Sequence, residues 1–193
     1  IIIMPTWRMW LSSLRGVAEF RNTDYYKRYN DLINDSNLIE ILDESDYELV
    51  FYPHYEIQKF VHAFEVNSTK IHLADLKSYD VQNLLKESDL LITDYSSVYF
   101  DFAYMDKPVL YYQFDYNEFR ESHYSKGYFD YKKDGFGPVL SEKNKLIEAI
   151  ESHIQRNEFE TDVYKLRRDL FFPLHDKDNS RRNFESIMNT IGK

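Results

Sequence analysis

Short apolar runs alternate with helically spaced stretches along most of this chain. Residues 1–4, 48–52, 90–93 and 109–112 are each dominated by Ile, Leu, Val, Phe or Tyr, and 70–73 carries Ile71 and Leu73. Runs this short and this continuous predict strands buried on both faces, as in a parallel sheet. Between them, residues 24–34, 36–45, 56–64, 80–86 and 97–105 carry helical spacing. The fourth of these places Val81, Leu84 and Leu85 at i, i+3 and i+4. Asp24 and Ser36 stand where helix caps are expected. Residues 9–23, around Gly16, read as loop. Residues 113–138 read as irregular and aromatic, broken by Gly127, Gly135, Gly137 and Pro138. Three further helices are predicted at 141–155, 162–172 and 179–191; the first has Ser141 as cap and Leu146, Ile147 and Ile150 on one side.

Alternation of strand and helix predicts an α/β fold: a Rossmann-like parallel sheet with helices on both faces. No repeat or low-complexity linker interrupts it, so residues 1–193 read as one domain. Ligands of such sheets sit at the carboxyl ends of the strands. Three polar loops fall there: Pro5-Thr6-Trp7-Arg8, Pro53-His54 and Thr93-Asp94-Tyr95-Ser96-Ser97. The last is the most informative segment. Small hydroxyl residues at a strand-to-helix turn suit an anion, because the first N–H groups of a helix lack partners within it. Asp101, one turn beyond Ser97, stands where a carboxylate reaches ribose hydroxyls; the competing reading is a carboxylate satisfied by its neighbours. His54, at a strand exit, can face the ligand edge to bind phosphate or move a proton. Ser180 and Arg182, at the start of the last helix, combine N–H groups with an arginine fork, against the simpler reading of a cap and a solvated charge.

Composition narrows the chemistry. With 17 Tyr, 14 Phe and 2 Trp, the chain carries either a tyrosine-rich core or a platform for bases. Its net charge of −9 argues against broad nucleic-acid binding. The absence of cysteine removes thiolate catalysis and Cys-based zinc sites. None of the six histidines has a metal-ligand spacing such as HExxH, and Asp176-Lys177-Asp178 reads as a helix cap before a metal motif, so no metal is expected. Neither GxGxxG, GxxxxGK[ST] nor GxSxG occurs, which excludes the common dinucleotide, P-loop and esterase signatures. No apolar run approaches a membrane span. The chain opens inside an apolar run and not at an initiator Met, which predicts a piece of a longer protein.

In order, Pro5-Thr6-Trp7-Arg8, Tyr52-Pro53-His54, the stretch from Leu91 through Asp94, Ser96 and Ser97 to Asp106-Lys107-Pro108-Val109, and Gly135-Phe136-Gly137-Pro138 resemble the CDP-glycerol glycerophosphotransferase family, which includes teichoic acid polymerases and primases. The resemblance implies a GT-B fold of two Rossmann-like domains, with this chain as the C-terminal, donor-nucleotide-binding one. It implies transfer of glycerol phosphate from CDP-glycerol to a hydroxyl of a lipid-linked acceptor, releasing CMP, with no cofactor. In that reading the turn of Thr93, Asp94, Ser96 and Ser97 cradles the pyrophosphate and Asp101 meets the ribose. His54 neutralises phosphate and is the catalytic candidate, Ser180 and Arg182 also face phosphate, and Arg8 lines the cleft. The acceptor-side base lies on the other domain. A cytoplasmic enzyme, peripheral on the inner face of a bacterial membrane, follows from the lipid-linked acceptor. Two departures stand out: Tyr55 follows His54 where the family commonly has Pro, and the late element lacks its usual glycine. CDP-ribitol users share these motifs. The rival readings are a nucleotide-sugar glycosyltransferase or epimerase and a non-catalytic docking module.

Overall fold

The computed structural model describes residues 1–125, 127–156 and 162–192. Within them, β1 (Ile2–Met4), β2 (Leu49–Phe51), β3 (Ile71–Leu73), β4 (Leu91–Thr93), β5 (Val109–Tyr112) and β6 (Val139–Leu140) form one sheet. Its order is β3-β2-β1-β4-β5-β6 and every pair is parallel. The helices are α1 (Val17–Arg21), α2 (Asp24–Ile33), α3 (Ser36–Asp43), α4 (Val81–Glu87) and α5 (Val98–Tyr104). They continue with α6 (Tyr116–Ser122), α7 (Tyr131–Asp134), α8 (Lys143–Arg156), α9 (Asp162–Phe171) and α10 (Asn179–Ile191).

Side-chain alternation along the strands sorts the core into two layers. Ile3, Leu49, Phe51, Ile92, Leu110 and Tyr112 point to one face, under α1, α2, α3 and α8. Ile2, Leu91, Val109 and Tyr111 point to the other, under α4, α5, α6 and α7. Both faces are covered, which is why the strands read as unbroken apolar runs. Much of the aromatic content is core: Tyr29, Tyr111, Tyr112, Phe20, Phe51, Phe102, Phe119 and Phe136 are all fully buried.

Several local expectations are corrected. Residues 9–23 hold a 3-10 stretch at Met9–Leu11 and the short helix α1. The caps stand one residue earlier than expected: Thr23 Oγ1 accepts from Tyr26 N–H and Asp35 Oδ1 from Asn37 N–H, because the capping residue must itself be extended. Residues 58–63 form a 3-10 helix, with Phe60 N–H bonded to the Ile57 carbonyl. Apolar spacing alone does not separate the two helix types. α8 starts at Lys143, beyond Ser141. The stretch 113–138 contains α6 and α7. Asp178 precedes α10 without a side-chain cap bond; it pairs with Arg181 at 3.0 Å.

The Asp106-Lys107-Pro108 motif has a structural use. Asp106 adopts a positive φ of 58° to leave α5. That turn sends the Lys107 ammonium to the carbonyls of Leu85 (3.0 Å) and Ser88 (2.7 Å), and also to that of Lys86. These are orphan acceptors at the end of α4. In the Gly135-Phe136-Gly137-Pro138 motif, a Cβ on Gly137 would lie 1.7 Å from the Val109 carbonyl oxygen. Only glycine lets this segment close on β5.

α10 buries none of its residues, and Phe184, Ile187, Met188 and Ile191 make an exposed apolar stripe along it. Among the described residues no helix is long and apolar enough to cross a membrane.

Candidate functional site

Strand order reverses between β1 and β4, the switch point at which ligands of such sheets sit. Met4 is in register with Thr93, and the Thr93 hydroxyl donates to the Met4 carbonyl at 2.7 Å. The segment Thr93–Ser97 and the loop Pro5–Arg8 therefore leave the sheet side by side.

Beneath them lies a buried ion network. Arg8 Nη1 is 2.9 Å from Asp94 Oδ2, and both side chains are fully buried. Arg8 also grips Asp115 with two bonds, Nε to Oδ2 at 2.6 Å and Nη2 to Oδ1 at 3.1 Å. Burial by itself would lower the guanidinium's pKa, but Asp94 and Asp115 outweigh it and raise it well above normal. Asp94 Oδ1 accepts the N–H groups of Thr6 (2.8 Å) and Tyr95 (2.6 Å), and Oδ2 accepts the Tyr29 hydroxyl at 3.2 Å. Gln113 Nε2 donates to the Asp94 carbonyl at 2.8 Å. Three loops, after β1, β4 and β5, are pinned together by this cluster. Burial, reinforced by Asp94, raises the Tyr29 pKa and keeps the phenol protonated.

This places several expected site residues. Arg8 does not line the cleft: it has no exposed surface and holds the loops from below. Thr93 and Asp94 are buried in the same support. Above them, Ser96 is half-buried and Ser97 exposed. Ser97 occupies the N-cap position of α5 without a side-chain cap bond, and the Ser96 hydroxyl accepts from Val98 N–H at 3.5 Å. Asp101 is exposed one turn further on.

His54 leaves β2 half-buried, its ring stacked near Trp7 at 6.2 Å between centroids. Its Nδ1 accepts from Glu56 N–H at 3.3 Å, which leaves Nε2 to carry the proton of the neutral ring. Burial pushes the imidazole below its usual value, against the opposing pull of Glu56 and Asp94. Trp7 also meets His123 edge-on at 5.0 Å, and His123 Nδ1 accepts from Met9 N–H.

Ser180 and Arg182 are not gathered with these residues. Arg182 binds Asp176 through two 2.9 Å bonds, and the Tyr104 hydroxyl donates to the Asp176 carbonyl. Tyr104 ends α5, so this cluster sits at the opposite end of the helix from Ser97. Arg182 is drawn there by a local carboxylate that the sequence reading assigned to a cap.

Two concavities on this domain do not include Ser96 or His54. One, of about 600 Å³, is lined by Trp10, Tyr25, Arg28, Phe114, Asp115 and Tyr116. The other, of about 820 Å³, runs between α4, α5 and residues 171–174, and includes Asp101. Asp115, Gln113, Arg120 and His123 escaped the sequence reading, which treated their segment as irregular; no spacing marks them.

An all-parallel sheet of this order, with polar loops at its switch point, defines a Rossmann-like α/β domain. Its fold is that of the wall teichoic acid polymerase TagF, matched with a TM-score of 0.64 at 24% identity over 98% of this chain and 42% of that one. The chain belongs to the CDP-glycerol:poly(glycerophosphate) glycerophosphotransferase family, whose model matches residues 1–189. It is 39% identical over 97% of its length to the minor teichoic acid biosynthesis protein GgaB of Bacillus subtilis (strain 168), of which it spans 21%. It is 31% identical over 97% of its length to the teichoic acid poly(glycerol phosphate) polymerase of Bacillus spizizenii, of which it spans 44%. The chain thus covers less than half of these relatives.

Proposed function

We propose that this chain is the donor-binding domain of a transferase that moves glycerol phosphate, or a related polyol phosphate, from a CDP-alcohol to a hydroxyl in teichoic-acid-type polymer synthesis. The observation that carries the reading is the Ser96–Ser97 turn at the β1/β4 switch point, with Ser97 exposed, in a chain of this family. There the two hydroxyls and the first N–H groups of the turn meet the diphosphate, and Asp101 meets the ribose. His54, with Nε2 free, donates to a phosphate oxygen. The acceptor hydroxyl attacks the phosphorus next to glycerol, its proton passing to a base on another part of the full protein, and CMP leaves. Such a transfer depends on positioning and charge neutralisation more than on covalent help.

Arg8, Thr93 and Asp94 support the turn rather than touch the donor. The acceptor is lipid-linked, and the protein works at the inner face of the bacterial membrane. Calorimetric titration with CDP-glycerol tests the donor site. Binding by the wild type, weakened in Ser97→Ala and His54→Ala, is the expected result; equal affinity in all three removes the assignment.

A further inference from the structure

Arg120 is placed unlike the paired arginines of this domain. It lies in the last turn of α6, half-buried, its guanidinium carbon 5.3–5.9 Å from the ring centres of Tyr95, Tyr116, Phe119 and Tyr131. Nη1 reaches only the Ser125 carbonyl, at 3.3 Å. Nε is buried and has no hydrogen-bond partner. Among the described residues no carboxylate lies within ion-pair distance of it. Arg8, Arg168 and Arg182, by contrast, each face an aspartate.

A cation taken partly out of water without a counter-charge is costly, and ring faces offset only part of that cost. The position of this one is informative. The Tyr131 ring lies 5.7 Å from the Arg120 guanidinium carbon, and its hydroxyl donates to the Tyr95 carbonyl at 3.4 Å. That carbonyl belongs to the same peptide group as the Ser96 N–H. One phenol therefore separates the unpaired guanidinium from the turn at the switch point.

We propose that Arg120 is a donor-binding residue, and that the diphosphate of a nucleotide-diphosphate-linked alcohol is the anion it lacks. The inference rests on the donor-site reading above and adds a contact to it. The four rings hold the guanidinium plane in place, so the fork is oriented before the ligand arrives. A ligand with two phosphates gains more from Arg120 than a monophosphate does. The same contact favours the intact donor over the CMP that must depart.

The test is calorimetric titration of the full-length protein with CDP-glycerol and with CMP, for the wild type, Arg120→Gln, Arg120→Lys and Ser97→Ala. Removing a charge-assisted fork is expected to weaken CDP-glycerol binding about tenfold or more. The loss for CMP should be clearly smaller. Arg120→Lys keeps the charge and the ring contacts but not the fork, and is expected to lose affinity severalfold. If Arg120→Gln does not fold, Arg120→Lys carries the test. Wild-type CDP-glycerol affinity in a folded Arg120 variant, alongside a weakened Ser97→Ala, overturns the role of Arg120 and leaves the donor site standing. A lowered melting temperature with unchanged affinity overturns it too, marking Arg120 as a structural prop. Absence of CDP-glycerol binding by the wild type removes the donor-site reading and this inference with it.

Discussion

Arg8 and Asp94 form a fully buried ion pair, Nη1 to Oδ2 at 2.9 Å, beneath the turn that presents Ser96 and Ser97. Each charge depends on the other, because neither reaches water. Removing one partner of such a pair costs about 3–5 kcal/mol. Asp94→Ala is therefore expected to destabilise the domain by that order in denaturant unfolding, and Arg8→Met similarly. Measured losses under about 1 kcal/mol would contradict the account of the network as the support of the site.

The pH dependence of donor binding follows from His54, whose value in the free chain is pushed below the ordinary 6.5 by burial. A bound diphosphate favours the charged ring, so the value rises in the complex. Affinity for CDP-glycerol should then increase as pH falls through the value in the complex, and level off below the value in the free chain. The gain is at most about tenfold per pH unit for one proton. His54→Gln should give a flat profile over the same range by calorimetry.

Stability has its own pH signature. His153, in α8, is buried to 3% exposure, and desolvation lowers its value, opposed by Asp89. A base whose folded value is depressed binds fewer protons in the folded state than in the unfolded one. Its contribution is whole above the unfolded value of about 6.5 and is lost as pH falls below it. The melting temperature should drop between pH 7 and 5, and drop less in His153→Leu. A variant that tracks the wild type would assign the acid sensitivity elsewhere.

Lys107 belongs to a motif that carries the family resemblance and has a structural use. Its ammonium donates to three carbonyls at the end of α4. Lys107→Met leaves those acceptors without it, at a cost of about 1.5–3 kcal/mol for bonds to a charged group. Donor affinity of the folded variant should not change. A large loss of affinity at unchanged stability would instead place Lys107 in the donor site.

Gly137 is fixed by contact. Its Cβ would lie 1.7 Å from the Val109 oxygen and 2.8 Å from the Val109 carbonyl carbon. Gly137→Ala must push β6 away from β5, at about 1–3 kcal/mol or more. Thermal melts should show it clearly, whereas Gly127→Ala, with open space around its Cβ, should be neutral within about 0.5 kcal/mol.

What could be read from the sequence tracks what is local. β1, β2, β4 and β5 were legible because strands buried on both faces are continuous apolar runs, and the switch-point turn because Ser96 and Ser97 follow one of them directly. The role of Arg8 was not legible: its partner Asp115 is 107 residues away. α6 and α7 were hidden because short helices between aromatic residues take their shape from packing, here Tyr95 stacked on Phe119 at 3.8 Å and Tyr131 set against Tyr99. Arg120 and His123 belong to that hidden segment. Arg182 carried the right chemistry at the wrong end of α5, since Asp176 six residues earlier captures it.

The central place of β1 has a kinetic consequence. It pairs with β2 on one side and β4 on the other, and the Thr6–Asp94 bond joins residues 88 apart. Both crossovers must close before the loops that present His54, Ser96 and Ser97 can meet, and such non-local closures are the slow events of folding. The donor-binding surface should therefore appear only with the last cooperative step. During refolding, nucleotide capture would report the finished sheet rather than any precursor of it.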